Sequence, residues 1–191
     1  MRSLPAVANE ARQMVAAIVA TGRLFSRHTE SSAVVRVAPE VVFAFLDAHE
    51  NIAAHMDRPN WAMLGGTMTS SIDKRAGEET GSVIRIEGKV LGISISLEEK
   101  IVERVPPRRK RWETIGTPRL IVMGGYRMGF DIERADDGCR VTVAIDYDVP
   151  EGIWGSLLGR LFAPAYARWC VQRIVDTVAH EFSNAKVSDV Q

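Results

Sequence analysis

The chain has no uninterrupted apolar run of about 18 residues, so no segment is expected to cross a bilayer as a helix. It has little cysteine. Cys139 and Cys170 are too few for a disulfide framework and lack metal-ligand spacing, so they read as small core residues in a reducing, cytoplasmic setting. It has no excess charge of either sign, with 24 basic against 24 acidic residues, and a general nucleic-acid binder needs a basic excess. No nucleic-acid partner is therefore expected. There is no Gly-x-Ser-x-Gly elbow, and Gly65-Gly66 and Gly124-Gly125 sit in strand-like stretches with no helix following. Neither a serine nucleophile nor a phosphate cradle is read here, and no cofactor is expected. Histidine is sparse: His28 and His180 stand alone. His49 and His55, with Asp47 and Asp57, fit no zinc spacing and read as a surface loop, so no metal is expected. Internal repeats and low-complexity tracts are absent too.

What remains is an ordinary globular composition in a chain long enough for one domain with a real core. The dominant stretch is 154–185. Leu158, Leu161, Phe162, Ala165, Trp169 and Cys170 recur at offsets of three and four, and Val171, Ile174, Val175, Val178 and Phe182 continue the stripe. A long helix with one buried side is expected. Pro164 removes a backbone donor, which predicts a kink or a short helix first. Residues 5–25 carry a second helical pattern (Val7, Ala11, Met14, Val15, Ile18, Val19) ending near Gly22. The apolar run 14–20 is short, Glu10 and Arg12 precede it and no cleavage site follows, so it reads as an extra helix rather than a leader. That helix is expected to pack on its own domain or to pair two copies as a homodimer, with membrane-surface contact or a removed leader as the alternatives.

Between these helices the pattern is almost wholly strand. A first strand at 29–37 ends at Ala38-Pro39, and two short helices follow, Val41–Asp47 and Ile52–Met56. Strands are then expected at 63–74, 81–91, 93–105, 110–116, 120–133 and 139–149, the fifth of these being the longest. Strict alternation, as in Ile84, Ile86 and Val90 against Arg85, Glu87 and Lys89, marks strands wet on one side. Asp136-Asp137-Gly138 signals a hairpin. Gly124, Gly125 and Gly129 mark a bulge, a bend or room for something close by. Consecutive strands with short turns pair antiparallel, and one apolar sheet face must be covered by the one long helix. The sheet should curl around it and leave a concave apolar space of the kind that binds small molecules.

The stretch Ser32-Ala33-Val34-Val35-Arg36-Val37-Ala38-Pro39-Glu40-Val41-Val42-Phe43-Ala44-Phe45-Leu46-Asp47 resembles the opening of the START-like (SRPBCC) superfamily, in particular its polyketide cyclase/dehydrase and lipid-transport group. Gly81-Ser82-Val83 and Pro107-Arg108-Arg109 are similar to that family's strand starts and hairpins. The resemblance spans residues 29–183. It implies an α+β helix-grip fold, with a curved antiparallel sheet of six to seven strands around the C-terminal helix and a deep hydrophobic cavity. Lipid and quinone carriers, aromatic cyclases and plant-hormone receptors all belong to this superfamily, so it implies no single activity. The domain is drawn at 27–186, with an N-terminal extension at 1–26 and a tail at 187–191.

Candidate ligand-binding residues are the inward aromatics Trp112, Tyr126, Phe130, Tyr147, Tyr166 and Trp169, each of which either lines a cavity or packs the core. Glu99 falls in phase with Ile93, Ile95, Leu97 and Ile101, and an inward carboxyl there would have a raised pKa and hold or move a proton. A bulge after Gly92 would instead turn it to water. Arg173 is the expected counter-ion if it faces the same space. Arg108-Arg109-Lys110-Arg111 is the one dense basic run and reads as a solvated hairpin tip rather than a phosphate or membrane contact. Three functions follow. The first is binding of a hydrophobic small molecule (lipid, quinone or polyketide/aromatic). The second is a cyclase or dehydrase using an inward acid or tyrosine as general acid/base. The third is docking of a protein partner.

Overall fold

The computed structural model describes residues 24–48, 51–52, 67–90, 92–150 and 152–184. The pattern at 5–25, most of the second short helix, His49, His55, Asp57 and the tail therefore lie outside the described residues.

Seven strands form one antiparallel sheet: β1 (Arg27–Val35), β2 (Thr67–Ile72), β3 (Val83–Val90), β4 (Ile93–Val105), β5 (Arg109–Arg119), β6 (Tyr126–Ala135) and β7 (Gly138–Tyr147). Their order is β1-β7-β6-β5-β4-β3-β2. Every neighbouring pair is consecutive in sequence except β1 and β7. Helix α1 (Pro39–Asp47) follows β1, and α2 (Ile153–Asn184) ends the fold. Pro39 starts α1 where its missing N–H costs nothing. Val42, Phe43 and Leu46 go inward, and Phe43 meets Phe130 of β6 edge-on at 5.6 Å.

Alternation sets which side chains face α2. Along β7, Val141, Val143, Ile145 and Tyr147 are buried, and their β6 partners Ile132, Phe130 and Met128 are buried with them. The β6–β7 turn is a two-residue loop at Asp136-Asp137, with Ala135 paired to Gly138. A Cβ at Gly138 would lie 2.1 Å from the Val35 carbonyl, so glycine lets the hairpin close against β1.

Four expectations change. The strand expected from Leu120 begins only at Tyr126, because residues 120–125 form a loop tied to the end of β7 by Gly124 N–H to Asp148 O (2.8 Å) and Asp148 N–H to Gly125 O (3.0 Å). The longest strand is β4, with 13 residues. β5 runs on through Gly116 and Pro118 to Arg119. α2 is one helix of 32 residues with Pro164 inside it, not a short helix followed by a long one.

The buried side of α2 also differs from the expected stripe. Ala163, Ala167, Cys170, Val171, Ile174, Val175 and Val178 are buried, whereas Leu157, Leu158, Leu161 and Phe162 are exposed. Small residues at 163 and 167 let the helix approach closely, and it lies mainly across β1 and β7. Space is left over β4–β6. No helix among the described residues is long and apolar enough to cross a membrane.

Gly129 has a packing reason rather than a ligand beside it. A Cβ there would sit 2.3 Å from the Lys110 carbonyl of the adjacent strand. Gly129→Ala must push β5 and β6 apart and is expected to cost about 1–3 kcal/mol in a thermal or urea unfolding comparison. An unchanged midpoint would show that the strands yield freely.

Candidate functional site

The space between sheet and helix is a cavity of about 70 Å³, lined by Ile52, Ile84, Glu99, Ile101, Lys110, Trp112, Tyr126, Met128, Ile145, Tyr166 and Cys170. Its walls are β3 to β7 on one side and α2 on the other, with Ile52 added from the segment after α1. It holds a handful of water-sized groups, well below the ~300–1,000 Å³ typical of drug-sized ligand pockets.

Strand register brings the polar group into this apolar lining. Ile84 pairs with Glu99, Glu99 with Thr114, and Ile101 with Trp112, so these side chains share the inner face. β4 is irregular against β5 between Ser96 and Glu98 and again between Ile101 and Glu103. Neither irregularity reverses Glu99, which is only 5% exposed. β5 and β6 pair only from Arg109↔Asp131 to Glu113↔Arg127. Where the ladder stops, the Thr114 hydroxyl takes over. It accepts from the Tyr126 N–H (3.0 Å) and donates to the Tyr126 carbonyl (3.2 Å). Tyr126 is thereby fixed one strand away from the Glu99 row, and its hydroxyl donates to Glu99 Oε1.

Burial raises the Glu99 carboxyl to about 7, although hydrogen bonds from Tyr126 and Trp112 pull it downward. No lysine, arginine or histidine among the described residues forms an ion pair with it, and none contributes to its shift. Arg173, the expected counter-ion, is exposed on α2 and does not line the cavity. The helix turns it to solvent because Cys170, Val171 and Ile174 occupy the buried side. Arg173→Ala should therefore leave stability within about 0.5 kcal/mol of the parent in a chemical melt. A larger loss would mean that Arg173 reaches an interior partner.

Of the other expected residues, Trp112, Tyr126 and Tyr166 line the cavity together with Glu99. Tyr166 is hydrogen-bonded to the Cys170 thiol, and burial lifts that thiol to about 12, so both remain protonated. Trp169 stacks on Tyr166 with ring centroids 5.8 Å apart. Phe130 and Tyr147 are fully buried, but neither is part of the cavity lining.

Lys110 joins the site against expectation. It is 2% exposed, in phase with Trp112 and Thr114 on the inner face of β5, and it forms one wall of the cavity. Its ammonium donates to the Asp47 carbonyl (2.7 Å) and to Asp47 Oδ1 (2.8 Å). Arg104 grips the same carboxylate through Nη2 to Oδ2 (2.6 Å) and lies over the Phe43 ring. Arg109 and Arg111 turn outward to Asp131, each at 2.5 Å. The basic run is thus divided between a buried lysine and outward arginines held by an acid. Strand alternation from Trp112 back to Lys110 is the signal in the sequence that points to this.

The described residues contain no group of three or more His, Cys, Asp or Glu able to hold a metal. His28 is tied to Asp146 at 2.7 Å on an exposed strand edge, which leaves it no part in the cavity.

The family pattern described as "Polyketide cyclase / dehydrase and lipid transport" matches residues 26–182. No curated protein shows a matching sequence. Solved structures share the fold at low identity. The Zhui aromatase/cyclase from Streptomyces sp. R1128 aligns at TM-score 0.63 and 15% identity, over 86% of this chain and 98% of that one. A protein from Thermus thermophilus aligns at 0.60 and 15%, over 83% and 99%. A norcoclaurine synthase point mutant from Thalictrum flavum, bound to a transition-state analogue, aligns at 0.58 and 12%, over 84% and 96%.

Proposed function

The chain belongs to the polyketide cyclase/dehydrase and lipid transport family, and on that footing we propose that it binds a hydrophobic small molecule in the cavity between β4–β6 and α2. The observation that carries this reading is a buried carboxyl, fixed by a tyrosine, on the wall of a largely apolar cavity. Ile84, Ile101, Met128 and Ile145 supply burial, at roughly 25 cal/mol per Å² of apolar surface removed from water. Glu99 and Tyr126 orient a polar group on the ligand. The volume favours a single ring or short chain over a whole lipid or quinone, which would need the cavity to open. Native mass spectrometry of the purified protein, followed by extraction after denaturation, tests the reading. A retained single-ring or short-chain compound, lost from Tyr126→Ala, is the expected result. An empty protein whose Trp112 indole resonance is moved by no aromatic or aliphatic probe would overturn it.

One observation supports a second reading, acid/base chemistry on a carbonyl substrate. A carboxyl raised to about 7 is matched to proton transfer near neutral pH. Glu99 would take the proton next to a carbonyl, and Tyr126 would hold the carboxylate in place. Deuterium exchange of the α-protons of a small ketone, followed by NMR, checks this. The exchange should titrate near pH 7 and vanish in Glu99→Gln; exchange equal to that of buffer alone rules it out.

A further inference from the structure

We propose that the cavity takes a small organic cation, a protonated or methylated amine on a short apolar body, with its ammonium group against Glu99 and the aromatic side chains of Trp112, Tyr126 and Tyr166. The proposal deepens the reading of this cavity as the ligand site and rests on it.

Among the described residues Glu99 has no counter-ion. A carboxyl 5% exposed among isoleucines is expensive to ionise without a cation, and the described residues pair none with it. Yet its surroundings suit the anion. The Tyr126 hydroxyl and the Trp112 indole both donate to it, and a carboxylate retains acceptor capacity beyond two donors. The site is thus built for a negative charge, and the described residues supply no positive one to it. Beside it stand three electron-rich rings, Trp112, Tyr126 and Tyr166. Aromatic groups around an anion are the setting in which organic ammonium ions bind, through the negative faces of the rings.

The other cation of the cavity does not fill this role. Lys110 lies two inward positions from Thr114 past Trp112, and Asp47 holds it there through two hydrogen bonds. The aliphatic part of the lining is Ile84, Ile101, Met128 and Ile145. A ligand of this shape carries its charge at one end only.

The test compares two probes of equal shape, n-butylammonium and butan-1-ol, by NMR titration of the Trp112 indole resonance. At pH 8.5 the ammonium should bind about tenfold more tightly than the alcohol. That preference should shrink to near unity in Glu99→Gln, a near-isosteric change. It should also shrink in the parent at pH 5, where Glu99 is protonated. The other titratable groups facing Glu99 are Tyr126 of β6 and Tyr166 and Cys170 of α2, all pushed upward and so neutral throughout. Lys110 of β5 is pushed down by burial and held up by Asp47. The Gln variant separates its titration from that of Glu99. Equal affinity for the two probes, or a preference retained in Glu99→Gln, overturns the cation and leaves the ligand cavity standing. Failure of both probes to bind overturns the cation and counts against the cavity as a ligand site.

Discussion

Asp47→Ala should destabilise the domain by about 3–5 kcal/mol, the usual cost of removing one partner from a buried ion pair. Asp47 sits at the last position of α1, where the helix carbonyls disfavour a negative charge. Its burial also raises its carboxyl, but the bonds from Arg104 and Lys110 more than offset that and leave it below the ordinary carboxylate range. Without Asp47, the Lys110 ammonium stays 3% exposed on the cavity wall with no salt-bridge partner among the described residues, and only the weaker attraction of Glu78 favours its charge. The cheapest relief is to lose its proton. The variant's Lys110 would then titrate below its unfolded value of about 10.4, so stability should rise with pH in that window, where the unfolded state binds the extra proton. The parent should show a dependence of the same sign in acid. Its Asp47 contribution is present above the unfolded pKa and lost as pH falls through the lowered folded one. Urea unfolding of Asp47→Ala, Lys110→Met and the double variant gives the coupling directly. The double variant should recover about 1–3 kcal/mol of the summed single costs. If Asp47→Ala costs less than about 1 kcal/mol, water must reach Lys110.

Much of this architecture is legible in the sequence because strands and helices advertise their buried faces through period. The inward sets of β3, β6 and β7 follow from alternation alone, as does Glu99, whose facing the irregularity between Ser96 and Glu98 leaves unchanged. The first half of α2 departs from its apolar stripe for a physical reason. Leu157, Leu158, Leu161 and Phe162 keep helical spacing, but small residues on another side, Ala163 and Ala167, decide how closely the helix can approach the sheet. Hydrophobicity ranks side chains by what they gain from burial, not by which can fit. The strand expected at 120–133 starts late because apolar residues before Gly124 continue the pattern, while the backbone there bonds to Asp148 instead of a sheet neighbour. The site is half visible. Glu99 announces itself as a charge in an apolar phase, and Trp112 and Tyr126 lie in phase on their own strands. Lys110 is hidden by the arginines beside it, since a charge run reads as solvated unless alternation is followed through it. Spacing shows Asp47 only as a helix end. An acid at the wrong end of a helix breaks a local rule, and such breaks point to a tertiary partner that sequence spacing cannot supply.

Glu99→Gln should make the protein more stable as the pH rises, even as it removes the group on which the site depends. The folded carboxyl titrates at about 7 against 4.5 in the unfolded chain. Below pH 4.5 both states carry the proton and the residue adds no pH dependence. Between 4.5 and 7 the unfolded state has released it and the folded state has not, so stability falls by about 1.4 kcal/mol per pH unit. Above 7 both states are ionised and the loss is complete, about 3 kcal/mol in all. Glutamine does not titrate, and its carbonyl still accepts from Tyr126. Its buried N–H₂ adds a penalty of about 1–3 kcal/mol, but that offset is the same at every pH. The measurable quantity is therefore the gap between variant and parent, which should move by about 3 kcal/mol in favour of the variant from pH 4.5 to pH 8. Taking the difference cancels Asp47 and every other titrating group. A gap that stays flat would place Glu99 in water and remove the basis of the site. A gap that opens would show that the parent tolerates an uncompensated buried charge at neutral pH. Residues kept at such a cost are kept for function rather than folding. A bound ammonium would supply the missing charge and restore to the parent, in proportion to its occupancy, the stability that ionisation removes.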